Sequence, residues 1–253
     1  MSREQIQARA MVLRAVDFGE RDCILTLLIE GLGKRSAMAK GGRASKRRFA
    51  GTLESFRISR FTLTDRGSDK MAWLVEARVE EDFPGIEASF EKISAAAYAT
   101  ELVRELLREG EGGEMIFAAL AAHYRQSDGA EDERARLEAD LTTLTLRALA
   151  LAGFAPSLER CFRCQAPVTE APGWRLMAEG QGAVCAGCLE QGERSFETDR
   201  GELVVMDRLY GGYAEDLPSI EVLRKMRPKL QSMVSSAVGK ELRSQEFLKM
   251  VLG

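Results

Sequence analysis

Four cysteines constrain this chain more than any other feature. Cys161 and Cys164 form one Cys-x2-Cys pair, Cys185 and Cys188 form a second, and 20 residues separate the two. Each pair aims two thiolates at one point, and two pairs complete the four soft ligands that a tetrahedral zinc ion takes. The spacing therefore predicts one structural Zn2+ held by Cys161, Cys164, Cys185 and Cys188. Because cysteine fills all four positions, no coordination site is left for water or substrate, which argues against hydrolysis at this metal. A redox-active Cys-x2-Cys or four buried thiols are the alternatives, and two pairs at matching spacing favour the metal over both. Gly182 and Gly187 are expected to give the chain freedom to turn beside the second pair. The fifth cysteine, Cys23, alternates with Leu25, Leu27 and Ile29 and reads as a core residue.

Ahead of the cysteines the pattern changes once. Residues 1–80 hold five short segments with strand character, Ile6 to Val16, Cys23 to Glu30, Lys34 to Lys40, Phe56 to Thr64 and Met71 to Val79. Glycine-bearing turns separate them at Phe18-Gly19-Glu20, Gly31-Leu32-Gly33, Gly41-Gly42 and Asp65 to Asp69. Five strands in this length fit a small barrel, with the OB-fold the five-stranded candidate and an SH3-like barrel its competitor. After Phe83-Pro84-Gly85 the spacing becomes helical. Apolar series run from Ile86 to Leu107, from Met115 to Tyr124 and from Leu137 to Ala148, and later from Leu203 to Tyr210, Val222 to Val238 and Leu242 to Val251. Pro228 predicts a kink or boundary in the fifth of these. The expected fold is α+β: a five-stranded OB-fold barrel over residues 1–80, then an all-helical domain over 81–253 with a four-cysteine zinc-binding insertion at about 161–190.

Charge divides along the same line. Residues 1–80 carry 16 Lys and Arg against 10 Asp and Glu, a net of +6, whereas residues 81–253 carry 20 against 29, a net of -9. The positive charge concentrates between Glu30 and Glu54, where no acid occurs and Lys34, Arg35, Lys40, Arg43, Lys46, Arg47 and Arg48 all fall. Cations in such density on a barrel suit a phosphate backbone, so these seven are the candidate DNA-binding residues. Phe49, Phe56 and Phe61 lie close by, but strand alternation assigns them to the core before it assigns them to base stacking. A second basic run, Arg224, Lys225, Arg227, Lys229, Lys240, Arg243 and Lys249, either extends that surface or is the solvated face of terminal helices.

Several chemistries fail on the residues. Gly31-Leu32-Gly33-Lys34 is no phosphate loop, since Leu28 and Arg35 stand where glycine and Ser or Thr are needed. The single histidine, His123, lies in mid-helix, and Glu80-Glu81-Asp82 and Glu131-Asp132-Glu133 read as helix starts rather than as carboxylate pairs for catalysis. No enzyme is expected. The amino terminus lacks a signal-peptide pattern and no apolar run reaches membrane-helix length, so the cytoplasm is the expected location.

Four segments carry a family resemblance. Gly19-Glu20-Arg21-Asp22-Cys23-Ile24-Leu25-Thr26, the Ala39-Lys40-Gly41-Gly42-Arg43 stretch after Gly33, Gly153 to Cys161, and Leu242 to Leu248 resemble, in order, segments of the RecO recombination mediators. The chain departs from that pattern at Gly42, where alanine is usual, and at Gln245, where arginine is common. The resemblance implies an OB-fold and a zinc-bearing helical domain in a bacterial, nucleoid-associated DNA-repair protein. It further implies binding of single- and double-stranded DNA, annealing of complementary strands, partnership with RecR and with the carboxy-terminal tail of single-strand-binding protein, and help in loading RecA. The tail is expected on the helices of residues 86–152, met by Arg104, Arg108, Arg125 or Arg147. The competing reading is a zinc-ribbon protein-interaction adapter in transcription or translation.

Overall fold

The computed structural model describes residues 5–42, 45–64, 71–129, 134–169, 172–212 and 216–252. Strands β1 (Gln5–Phe18), β2 (Asp22–Ile29), β3 (Gly33–Ala39), β4 (Arg57–Thr64) and β5 (Ala72–Asp82) fall within a few residues of the five predicted segments. They close into a barrel in the order β1-β2-β3-β5-β4, the OB-fold. The turn expected at 65–69 lies outside the described residues. Closure depends on β1, which pairs with β4 over Gln5 to Met11 and with β2 over Ala10 to Phe18, its register shifting between Val12 and Arg14. Such a bulge bends a long strand enough to serve two neighbours. The β3–β5 pair is parallel, with Met38 opposite Trp73. Alternation sends Val12, Leu25, Leu27, Ile29, Phe61 and Leu63 inward, and Cys23 and Phe49 join the same core. Burying each large aliphatic side chain contributes roughly 1.5–3 kcal/mol.

The chain forms two compact units, Met1–Ala96 with Leu107–Asp128, and Ala97–Leu106 with Gly129–Gly253. Helix α4 (Gly113–Asp128) thus belongs with the barrel, as do Glu109, Gly110 and Glu111, which dock on β3. The Lys34 amide donates to the Glu111 carbonyl and the Gly110 amide to the Lys34 carbonyl, both at 2.8 Å. Gly33, at φ +73°, is required at this approach, because a Cβ there would lie 2.3 Å from the Glu111 carbonyl oxygen. The predicted helix from Ile86 to Leu107 is two helices, α2 (Pro84–Glu87) and α3 (Phe90–Leu106), with Ser89 starting the second: its Oγ accepts from the Lys92 amide at 3.4 Å.

Glu80, Glu81 and Asp82 do not begin a helix. They end β5, where arginines of β1, β4 and helix α4 meet them: Glu80 pairs with Arg60 at 2.5 Å and Arg9 at 3.2 Å, Asp82 with Arg57 at 2.8 Å, and Glu81 takes both Nε and Nη2 of Arg125 at 2.8 Å. The guanidinium groups of Arg125, first, and Arg9 hold the Glu81 carboxyl below its ordinary range. Glu131, Asp132 and Glu133 lie outside the described residues.

In the second unit α5 (Arg134–Leu149) packs against α6 (Arg200–Gly211) and α7 (Ile220–Val238), and α8 (Arg243–Leu252) follows. Their shared interior includes Leu144 of α5, Met206 of α6 and Leu230 of α7. Asp199 caps α6 by accepting from the Glu202 amide at 2.8 Å. Pro228 does not break its helix: α7 is continuous around it, and the missing N–H falls on an exposed face where water can satisfy the carbonyl one turn back. Past a single π-helical turn at Ala150–Phe154, no helix occurs among the described residues before α6. Three strands the sequence did not announce, β6 (Arg175–Met177), β7 (Ala183–Val184) and β8 (Ser195–Glu197), form a sheet in the order β7-β6-β8. Among the described residues no helix is long and apolar enough to cross a membrane.

Candidate metal centre and nucleic-acid interface

The small sheet carries the cysteines. Cys185 directly follows β7, and the first pair is tied to that strand by the Phe162 amide, which donates to the Ala183 carbonyl at 2.9 Å. The Gln165 amide folds back on the Cys161 carbonyl at 2.9 Å and the Cys188 amide on Cys185 at 3.0 Å, so each Cys-x2-Cys is a tight turn. Gln165 itself sits at φ +61° to close its turn. Gly182 serves both the turn and the packing: its φ is +113°, and a Cβ there would stand 2.2 Å from the Ser157 amide nitrogen and carbonyl oxygen. Gly187, in contrast, faces open space.

All four Sγ atoms lie within 4.8 Å of one another, and Cys164 and Cys185 are 3.8 Å apart. Ligands about 2.3 Å from a tetrahedral ion stand about 3.8 Å from each other, so the cluster fits a single metal ion. Burial opposes charge on Cys161, yet amides of Cys164, Cys185 and Arg163 outweigh it and bring the thiol down to about 6. The neighbouring thiols of Cys164 and Cys185 push Cys188 up to about 12. Four crowded thiols therefore resist complete ionisation among themselves, and a dication removes that conflict. Arg163 braces the site from outside by donating to the Cys188 carbonyl and pairing with Glu193, and with Glu190 at 3.3 Å.

The seven cations of the basic segment are treated unequally by the fold. Lys34 and Lys40 share one parity of β3, whereas Arg35 shares the parity of buried Gly33, Ala37 and Ala39. Lys40 is exposed, and its ammonium lies 4.3 Å from the centre of the Trp73 ring on β5, a cation–π contact. Arg48, in the short helix α1 (Lys46–Phe49), donates to the Lys40 carbonyl at 2.7 Å and to Ser45 Oγ at 3.2 Å. It thereby closes the loop that follows β3. Lys46 and Arg47 belong to α1, and Arg43 lies outside the described residues. Sequence reasoning missed Trp73, because only the parallel β3–β5 pairing brings it beside Lys40. It also missed Glu109, whose carboxylate accepts from the Ser36 amide at 3.3 Å and gives the acid-free segment an acidic neighbour. Phe61 is buried on β4, as strand alternation required; Phe49 is buried too, but from α1, and Phe56, just ahead of β4, is half-buried with its ring 5.8 Å from that of Tyr124.

The second basic run is partly internal. Lys229 is buried against Glu202, Arg227 pairs with buried Glu138 at 2.8 Å, and Lys240 pairs with Glu105 at 2.8 Å. Of the arginines expected to meet an acidic tail, Arg104 pairs with Glu101 and Glu105 at 3.0 and 2.9 Å, Arg125 with Glu81, and Arg147 Nε donates to the Tyr210 carbonyl at 3.4 Å. Arg108 is exposed.

Comparison with known proteins agrees with the barrel-then-helices order. The family model for the recombination protein O N terminal matches residues 1–83, and that for the recombination protein O C terminal matches residues 87–246. A DNA repair protein RecO of Anaeromyxobacter sp. (strain K) is 34% identical over 249 residues, covering 97% of this chain and 96% of the relative. RecO of Myxococcus xanthus is likewise 34% identical, covering 98% of both chains, and RecO of Pelotomaculum thermopropionicum is 32% identical over 246 residues, covering 96% and 93%. Two adjoining family models and relatives aligned from end to end leave one assignment: the chain belongs to the RecO family, and its role is in DNA repair and recombination.

Proposed function

We propose that this chain is a recombination mediator that works by binding, without bond chemistry of its own. It binds single- and double-stranded DNA, brings complementary strands together and, with RecR, helps load RecA onto DNA covered by single-strand-binding protein, whose acidic carboxy-terminal tail it engages. Lys34, Arg35, Lys40, Arg43, Lys46, Arg47 and Arg48 supply the phosphate contacts. Neutralising phosphates on two strands removes their mutual repulsion and raises their local concentration, which accelerates pairing. The observation that carries the reading is the exposed Lys40 beside Trp73, at the end of an acid-free strand and next to a loop braced by Arg48. A cation with an aromatic face next to it suits a nucleic-acid strand, because phosphate and base are met together. The barrel up to residue 80 is the DNA-binding domain. Residues 81–253 carry a structural Zn2+ on Cys161, Cys164, Cys185 and Cys188, and the protein acts in the bacterial cytoplasm at the nucleoid.

The test is DNA affinity measured across salt. Lys40→Glu with Arg43→Glu is expected to weaken all sequences about equally and to slow annealing. Each lost contact should reduce the log–log salt slope by about 0.7 for single strands and about 0.9 for duplex. An unchanged affinity and slope in this double variant would refute the assignment. For the metal, protein purified without chelator should contain one zinc per chain, and Cys161→Ser should release it; a metal-free chain with the same melting curve would overturn that part.

A further inference from the structure

Within the second unit, Arg224, Gln231 and Ser235 of α7 face Arg194 and, from α8, Gln245 and Lys249 across a cleft of about 420 Å3. Arg227 also lines it, with its guanidinium anchored on buried Glu138 at 2.8 Å. Among the described residues Glu241 is the one acid in the lining, so the four cations, Glu138 and Glu241 leave a net charge of +2. Arg194, Arg224 and Lys249 make no ion pair among the described residues. Two buried amide atoms in this lining, Gln231 Nε2 and Gln245 Oε1, have no hydrogen-bond partner among the described residues, and Gln231 is only 7% exposed. A buried amide without a partner costs free energy that a ligand recovers, and a glutamine amide can turn over to offer its NH2 group.

We infer that this cleft is a binding site for a phosphoryl ligand, either the phosphates of a free nucleotide or the terminal phosphate of a nucleic-acid strand. Nothing in the assignment of the basic segment 34–48 touches it. Three guanidinium groups, an ammonium, two amides and the Ser235 hydroxyl supply more donors than the roughly four acceptor positions of one carboxylate can use. A diphosphate has oxygens enough, and arginine forks match phosphate geometry. The cleft is concave, so it encloses a group or a chain end, whereas an uninterrupted duplex tracks across a surface. Among the described residues no aromatic side chain lines it, so recognition stops at the phosphates and ignores the base.

Titration calorimetry of the full chain with inorganic pyrophosphate tests this. One site per chain is expected, with affinity reduced at least tenfold in Arg224→Gln/Lys249→Gln and severalfold in Gln231→Leu, at unchanged melting temperature for the double variant. Lys249→Gln alone, at an exposed position of α8, is the companion should the double variant fail to fold, and a severalfold loss is expected from it. ADP binding that is lost in the variant marks a free nucleotide as the source; preference for a 5′-phosphorylated over a 5′-hydroxyl oligonucleotide, lost in the variant, marks a strand end. Absence of saturable pyrophosphate binding, or binding indifferent to these substitutions, overturns the inference. An acidic peptide that binds through Arg224 and Lys249 where pyrophosphate does not would overturn it equally.

Discussion

Replacing Lys229 by methionine keeps most of its volume and removes its charge together with its N–H donors. In the native fold its ammonium donates to the Glu197 carbonyl of β8 at 2.7 Å and to the Glu202 carboxylate of α6, whose same oxygen accepts from Thr198 Oγ at 2.8 Å. Both ionised side chains are about one-tenth exposed. Lys229→Met therefore leaves Glu202 with the Thr198 bond as its compensation and strips the Glu197 carbonyl of this donor. Breaking a buried pair from one side costs about 3–5 kcal/mol, because the surviving charge stays desolvated. The informative comparison is Lys229→Met/Glu202→Gln, in which no unpaired charge remains; it is expected to be more stable than Lys229→Met alone, by about 1–3 kcal/mol. Urea unfolding followed by fluorescence reads this in a Trp73→Phe background, where buried Trp174 reports on the second unit alone and the two units need not unfold together. A loss below about 1 kcal/mol for the single variant, or a double variant less stable than the single, would refute the reasoning.

Two further outcomes follow from buried positions. His123 is buried, and burial brings its pKa down to about 4 against the opposing Ala95 backbone. Its folded value thus lies below the unfolded value of about 6.5, so the unfolded chain binds the extra proton first. Stability is complete above about 6.5 and falls, by up to about 3 kcal/mol, as pH drops toward 4; His123→Leu should flatten this part of the profile, and equal slopes in both proteins would contradict it. Gly182→Ala places a Cβ 2.2 Å from Ser157 backbone atoms at φ +113°, and should cost about 2–4 kcal/mol and loosen the metal centre, read as faster zinc loss to a chelator; a cost under about 0.5 kcal/mol would show that the Ser157 contact yields.

The barrel was legible because its signals are local. Each strand announces itself by alternation and each turn by glycine, and both survive without knowledge of the partner strand. The cysteine cluster was legible for the same reason: a Cys-x2-Cys turn orients two ligands by itself, and only one long closure remains to be guessed. Strands of two or three residues such as β7 and β6 are too short for a period to emerge, and their sheet exists because the two cysteine turns and Gly182 draw them together. The split of the predicted helix at Ser89 was hidden by an apolar spacing that continues across the cap.

Charge was the least legible quantity, because its meaning is set by partners distant in sequence. The run from Arg224 to Lys249 reads as a basic face, yet Lys229 answers Glu202, Arg227 answers Glu138 and Lys240 answers Glu105, acids that lie well outside it. What is left uncompensated is a smaller set, and α7 sorts it by face. Lys229 points inward to its acid, while Arg224, Gln231 and Ser235 recur seven and four residues apart on the side that bounds the cleft. A surface of evenly solvated cations would attract nucleic acid diffusely and lose it steeply with salt. Cations gathered in a concave site with an unsatisfied amide retain attraction at short range, where salt screens least. The amino-terminal segment and the α7–α8 cleft should therefore separate experimentally: DNA binding by the first falls with the full salt slope, whereas pyrophosphate binding by the second changes less over the same range.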